Sequence, residues 1–174
     1  MPDTTANFRV GSALLTYGGV TLGEKGEGTE LTFEPELVPM TGDSSGSTLR
    51  DEAVMGYSVT VTTELKQLSI NDMDAIWSKL YSENESQDAT HIHIQDQTND
   101  LLGANSAALV VKRRKNAGDG TLATAEQFVI WKAVMKPNGP ITFTNEEQAS
   151  MPVMFTGYLD EETGRIMTMG KSAA

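Results

Sequence analysis

The sequence predicts a mainly β domain, a β-sandwich or barrel-like body with one flanking α-helix at about residues 69–82 and a long inter-strand loop at about 38–56. Three observations carry this. Two segments alternate apolar and polar residues with period two, Thr29–Leu37 and Tyr57–Leu65. One segment only has a 3.6-residue period. Turn signals break the rest of the chain into short runs suited to strands.

The elements follow in order. Met1–Asn7 reads as a polar arm and Phe8–Tyr17 as an extended segment. Gly18-Gly19 turns the chain into Val20–Leu22, and Gly23–Gly28 (GEKGEG) reads as a second turn. In the first alternating strand Leu31, Phe33 and Leu37 share one face, and Glu30, Thr32, Glu34 and Glu36 share the other. In the second, Tyr57, Val59, Val61 and Leu65 oppose Ser58, Thr60, Thr62 and Glu64. A connection longer than about 12–15 residues is uncommon inside a compact domain and is usually functional or disordered. The loop between these strands therefore suggests a part completed by its neighbours. Its isolated apolar residues, Met40 and Met55, suit burial against a partner.

Leu68–Tyr81 has Ile70, Met73, Ile76, Trp77 and Leu80 on one helical stripe. Ser69 fits as N-cap with Asp72 as its acidic partner, and Leu68 with Met73 as the hydrophobic staple. Strands return at Thr90–Gln95, Ala107–Lys112, Gln127–Met135, Ile141–Thr144 and Met151–Leu159. The most apolar of them, Gln127–Met135, reads as central. Pro152 favours an edge or the start of the last strand. Turns are expected at Asn116–Gly120, Asn138-Gly139 and Glu162–Gly164. No repeat or linker divides the chain, so one domain is expected over 1–174, with arms at 1–7 and 170–174.

The 174 residues are enough for a real core. No apolar run approaches the roughly 18–20 residues of a membrane helix, and no signal-like n- or h-region opens the chain, so no membrane anchor is expected. There are no cysteines, which excludes disulfides and thiolate zinc sites. The net charge of −11 argues against nucleic-acid binding and is compatible with a surface past which DNA slides.

No enzyme is legible. No Ser/His/Asp order, nucleophile elbow or HExxH is present. GEKGEG lacks the Lys-Ser/Thr ending and the following helix of a phosphate loop. His91 and His93 share one strand face but have no further ligand on it, so they read as polar-face residues and no cofactor or metal is expected. Asn84-Glu85-Ser86 matches a glycosylation sequon but is not read as one without a secretory signal. The single basic cluster, Lys112, Arg113, Arg114 and Lys115, reads either as a solvated hairpin end or as a dock for an acidic surface on another copy. Aromatic residues are 6% of the chain, and both tryptophans lie on apolar stripes or runs, which disfavours the aromatic row of a carbohydrate-binding or adhesive module.

Ala13–Leu37 (ALLTYGGVTLGEKGEGTELTFEPEL), the long loop, Gly56–Ser69 (GYSVTVTTELKQLS) and a helix opening Ser69–Trp77 (SINDMDAIW) resemble the major tail tube proteins of long non-contractile-tailed bacteriophages. The likeness covers roughly Gly11–Leu80; beyond it only the general strand-rich character matches, closing with Met151–Asp160. The resemblance implies a virion protein assembled in the bacterial cytoplasm. Six copies would form a ring, with inner strands joined in one barrel around a channel and rings stacked into a tube. Related tubes occur in contractile tails and type VI secretion. Partners would be other copies, tape-measure, tail-tip and tail-terminator proteins, with DNA only as passing cargo.

On this reading the loop residues Met40, Asp43, Arg50, Asp51, Glu52 and Met55 reach neighbouring subunits. Glu30, Thr32, Glu34, Glu36, Ser58, Thr60, Thr62 and Glu64 line the channel. Lys112–Lys115 assist ring stacking. Duplex DNA carries about one charge per 1.7 Å and binds cationic surfaces, so carboxylates and hydroxyls would let it pass.

Overall fold

A computed structural model describes residues 13–22, 25–41, 49–66, 101–114, 122–141 and 149–170. The expected helix at 69–82, the strand at Thr90–Gln95 and both chain ends lie outside these residues, as do His91 and His93. Eight strands are described: β1 (Ala13–Tyr17), β2 (Val20–Thr21), β3 (Lys25–Thr41), β4 (Leu49–Leu65), β5 (Ala107–Arg114), β6 (Leu122–Pro137), β7 (Met151–Tyr158) and β8 (Met167–Met169). They form one antiparallel sheet in the order β2-β1-β5-β6-β7-β4-β3, with β8 also on β6. The chain is mainly β, as its patterning predicts, and β6 is central.

Local chemistry explains the turns. Gly18 and Gly19 have φ of 55° and 87°, the left-handed region that two-residue hairpin turns require and that glycine enters without a Cβ clash. Pro152 is the second residue of β7, an interior strand, in line with the expected strand start. β8 has no alternation long enough to be read from sequence. Trp131 holds it through its backbone N–H to the Ile166 carbonyl (3.2 Å) and its indole Nε1–H to Thr168 Oγ1 (2.9 Å).

The sheet coils on itself. Along a flat sheet β1 and β7 would be about 14 Å apart, three spacings of roughly 4.8 Å. Yet the Tyr17 and Phe155 rings meet at 5.3 Å, and the Tyr17 hydroxyl donates to the Ala133 carbonyl on β6 at 3.2 Å. Burial pushes the Tyr17 phenol above its ordinary pKa. The chain passes from Leu22 to Lys25 in three residues, at most about 11 Å, although β2 and β3 end the strand order on opposite sides. A barrel-like body results. Its core joins Leu15, Tyr17 and Leu22 to Leu109, Ile130, Met135, Met151, Val153, Phe155, Val59 and Val61.

A phase change in β6 builds this core. Leu109 pairs with Ile130 and Ala107 with Ala133, so β6 carries one extra residue between them. Ile130 and Ala133 are both fully buried in the core, three apart rather than two. Val129 and Val134 on the other face are buried as well, which accounts for the long apolar run there. Thr63, a polar residue on the core face of β4, is satisfied by donating to the Gly28 carbonyl at 3.3 Å.

Three expectations are corrected. GEKGEG is not simply a turn: β3 already begins at Lys25, and the irregular stretch is a register shift before Thr29, with Gly28 at φ 59°. The loop at 38–56 is mostly strand, since β3 runs to Thr41 and β4 starts at Leu49. Ile141, expected to open a strand, is outside any.

Candidate functional site

The β3–β4 hairpin is the feature the core does not explain. Each strand has 17 residues, roughly 55 Å at 3.3 Å per residue. β7 pairs with β4 only from Thr60 to Leu65. Everything beyond Val59 is a two-stranded arm, held by β3–β4 pairing alone among the described strands. Met55 is the extra residue of a bulge, because Glu36 pairs with Gly56 and Leu37 with Val54. A bulge reverses which face each later residue occupies. That reversal broke the alternation and made the segment read as a loop.

Of the residues expected to reach neighbours, Met40 lies on β3, and Arg50, Asp51, Glu52 and Met55 lie on β4; Asp43 is outside the described residues. Met40 pairs with Asp51. The arm is far more apolar than those residues suggested. Phe33, Leu37, Val38, Met40, Leu49, Val54, Met55 and Tyr57 are each 43% to 68% exposed. Phe33 and Tyr57 stack with centroids 5.2 Å apart and planes 14° from parallel. Large contiguous exposed apolar surface in a soluble protein marks an interaction site.

The eight polar residues of the two alternating strands come together. Glu30 pairs with Thr62, Thr32 with Thr60, Glu34 with Ser58 and Glu36 with Gly56; Glu64 pairs with Pro152 of β7. Their neighbours Val59, Val61 and Leu65 are buried in the core, so by strand alternation this row lies on the face turned away from it. Glu30, Glu34, Glu36 and Ser58 are exposed, and Thr32, Thr60, Thr62 and Glu64 half-buried.

The basic residues are placed differently. Lys112, Arg113 and Arg114 end β5, where Ala13 and Leu14 of β1 pair with Arg113 and Lys112, and Gln127 and Leu122 of β6 with Lys112 and Arg114. They are at the end of the β5–β6 hairpin but inside its ladder. Lys115 lies outside the described residues.

A second polar centre closes the β7–β8 connection. Asp160 is nearly buried; Thr163 Oγ1 donates to its carboxylate at 2.5 Å and Lys132 Nζ lies 3.2 Å away. The Thr163 hydroxyl, ahead of Lys132, holds this carboxyl below its usual range. A depressed folded pKa stabilises the fold fully above the unfolded value of about 3.9 and loses that contribution as pH falls through the folded value. Asp160→Asn should therefore lower Tm at pH 7, and the gap to wild type should narrow below about pH 4. Thermal melts between about pH 2 and pH 7 check this; a gap independent of pH would refute it.

No protein-family model matches the sequence, and no curated protein matches it. The fold itself is shared with components of phage-tail-like particles. One similar structure is the anti-feeding prophage cap, described as a tube terminating cap: TM-score 0.52, 10% identity, covering 99% of this chain and 100% of the other. Another is the sheath–tube complex of an extracellular contractile injection system, PVC, in its extended state: TM-score 0.54, 9% identity, covering 97% and 99%. At this identity the likeness is one of fold. Both similar structures come from contractile or tail-like systems, so the shared fold does not single out the non-contractile tails expected from the sequence.

Proposed function

We propose that this protein is a self-assembling structural subunit of a phage-tail-like tube, built from hexameric rings stacked into a hollow conduit. The observation that carries the reading is the arm. A roughly 35 Å hairpin extension with exposed apolar side chains has no partner within its own described chain and suits burial in a neighbouring copy. The open edge of β3 where it joins the body is a template for further pairing, and closed rings remove such edges. The two similar structures favour a contractile-type tube over the non-contractile one. Tape-measure, tip and terminator partners belong to the same reading, and the basic end of β5 serves as a dock for an acidic surface of a neighbouring copy.

Electron microscopy of concentrated purified protein tests the proposal. Rings or hollow tubes are expected. A chain that stays monomeric even with its particle's initiating components would overturn it.

The polar row from Glu30 to Glu64 is the proposed channel lining. A channel lined with carboxylates and hydroxyls repels or ignores a polyanion, whereas lysines would hold it by counterion release. Tubes of the Ser58→Lys/Thr60→Lys/Thr62→Lys variant, which leaves the β3 edge unchanged, should still form and should retain duplex DNA at least about tenfold better than wild-type tubes at low salt. Filter binding or sedimentation reads this. Equal retention by both tubes would remove these residues from the lumen.

A further inference from the structure

β3 is an edge strand over its whole length: β4 pairs on one side, and among the described strands none pairs on the other. Pro35 and Pro39 lie inside it, opposite Tyr57 and Glu52. A proline has no N–H to give a ladder, so an edge strand holds it with the ring nitrogen on the open side. Backbone groups in an antiparallel strand alternate sides residue by residue. Thr29, Leu31, Phe33 and Leu37 share the odd-numbered phase of the two prolines, and the bulge residue Met55 is on β4, so β3 keeps that phase throughout. The open edge therefore offers N–H groups at Thr29, Leu31 and Phe33 in succession. It is blank at Pro35, has one donor at Leu37, and is blank again at Pro39.

We propose that Pro35 and Pro39 divide β3 into two kinds of contact: a strand from a second copy adds to the backbone edge at Thr29–Phe33 only, and the arm beyond Pro35 docks through side chains alone. The inference rests on the assembly reading above and specifies its register. Prolines on an exposed edge block indiscriminate strand addition. Here they protect the apolar arm, whose exposed side chains would otherwise favour aggregation by strand addition.

The second copy contributes a different edge. A symmetric antiparallel pairing of two Thr29–Phe33 segments about Leu31 would set Glu30 against Thr32 and place Glu34 of the other copy diagonal to it on the same face, twice, so it brings like charges within side-chain reach. The other end of the sheet order is the β2–β1 edge, and the basic end of β5 pairs directly with β1 at Ala13 and Leu14. That edge brings cations to an acidic one, which favours a lateral contact over ring stacking for Lys112–Arg114. Contact between two unlike edges is head-to-tail, the arrangement that closes into a ring.

Proline substitution in the full chain tests the register. Leu31→Pro removes an outward donor, and Leu31→Ala controls for the side chain. Both should fold as monomers with wild-type β circular dichroism. Leu31→Ala should assemble, and Leu31→Pro should lose at least nine-tenths of its polymer, about a tenfold fall. Pro35→Ala should fold normally and form disordered aggregates faster than wild type. Wild-type polymer yield from Leu31→Pro would overturn the inference, as would an unfolded Leu31→Pro monomer beside a folded Leu31→Ala, because the Leu31 N–H would then face β4. Wild-type protein that never assembles overturns the tube reading itself, and this inference with it.

Discussion

Replacing Pro39–Glu52 with a two-residue Asn-Gly turn should give a folded monomer that no longer polymerises. Val38 and Ala53 are paired across the hairpin in the phase whose backbone groups face each other, so the cut leaves two facing strand ends that a short type I′ turn can join. None of the removed residues belongs to the core cluster, and the β4–β7 ladder begins only at Thr60. Exposed apolar side chains contribute little to the stability of the free chain, so Tm should change by no more than about 2–4 °C, the shift expected from roughly 1 kcal/mol at this chain length. Removing an arm that buries its side chains in a neighbour should abolish tubes altogether. Size-exclusion chromatography with light scattering, beside a thermal melt, separates the two effects. Polymers from the shortened protein would show that the arm is dispensable for assembly.

Phe155→Ala should have the largest effect on folding. Phe155 is fully buried, and its ring contacts Tyr17 across the inside of the coiled sheet. Phe-to-Ala changes in cores cost about 3–5 kcal/mol, the lost transfer free energy plus the cavity left behind. That is a large share of a typical total of about 5–15 kcal/mol. Chemical denaturation at neutral pH measures it. A loss below about 1 kcal/mol would mean that the rings do not close the barrel as described.

Two of the strands that the sequence announces share one physical property: their residues obey the same two-residue alternation from end to end. Thr29–Leu37 and Tyr57–Leu65 are such strands, and their polar and apolar faces are separated in the fold as their residues predict. The arm was hidden because Met55 inserts an extra residue in β4 and exchanges the faces beyond it, so Val54 leaves the alternation, while Val38 and Met40 of β3 are apolar residues in the phase that Glu30, Glu34 and Glu36 make polar. β8 was hidden for another reason. It is three residues long, and its place depends on Trp131 rather than on any pattern of its own.

The polar row was legible as a set, since alternation alone joins Glu30, Thr32 and Glu34 on one side and Ser58, Thr60 and Thr62 on the other. That the two sets share a face depends on register, with Glu30 opposite Thr62 and Glu34 opposite Ser58. The basic cluster was legible as charge only. Its position beside β1 follows from a pairing between residues about a hundred positions apart.

By itself, then, the sequence determined the mainly β class and the two-faced character of Thr29–Leu37 and Tyr57–Leu65, because these depend on residues a few positions apart. Strand order, the bulges in β4 and β6, and the coiling that brings Tyr17 to Phe155 were decided only in the tertiary structure. Those features come from contacts between distant segments, where packing a shared core outweighs local preference.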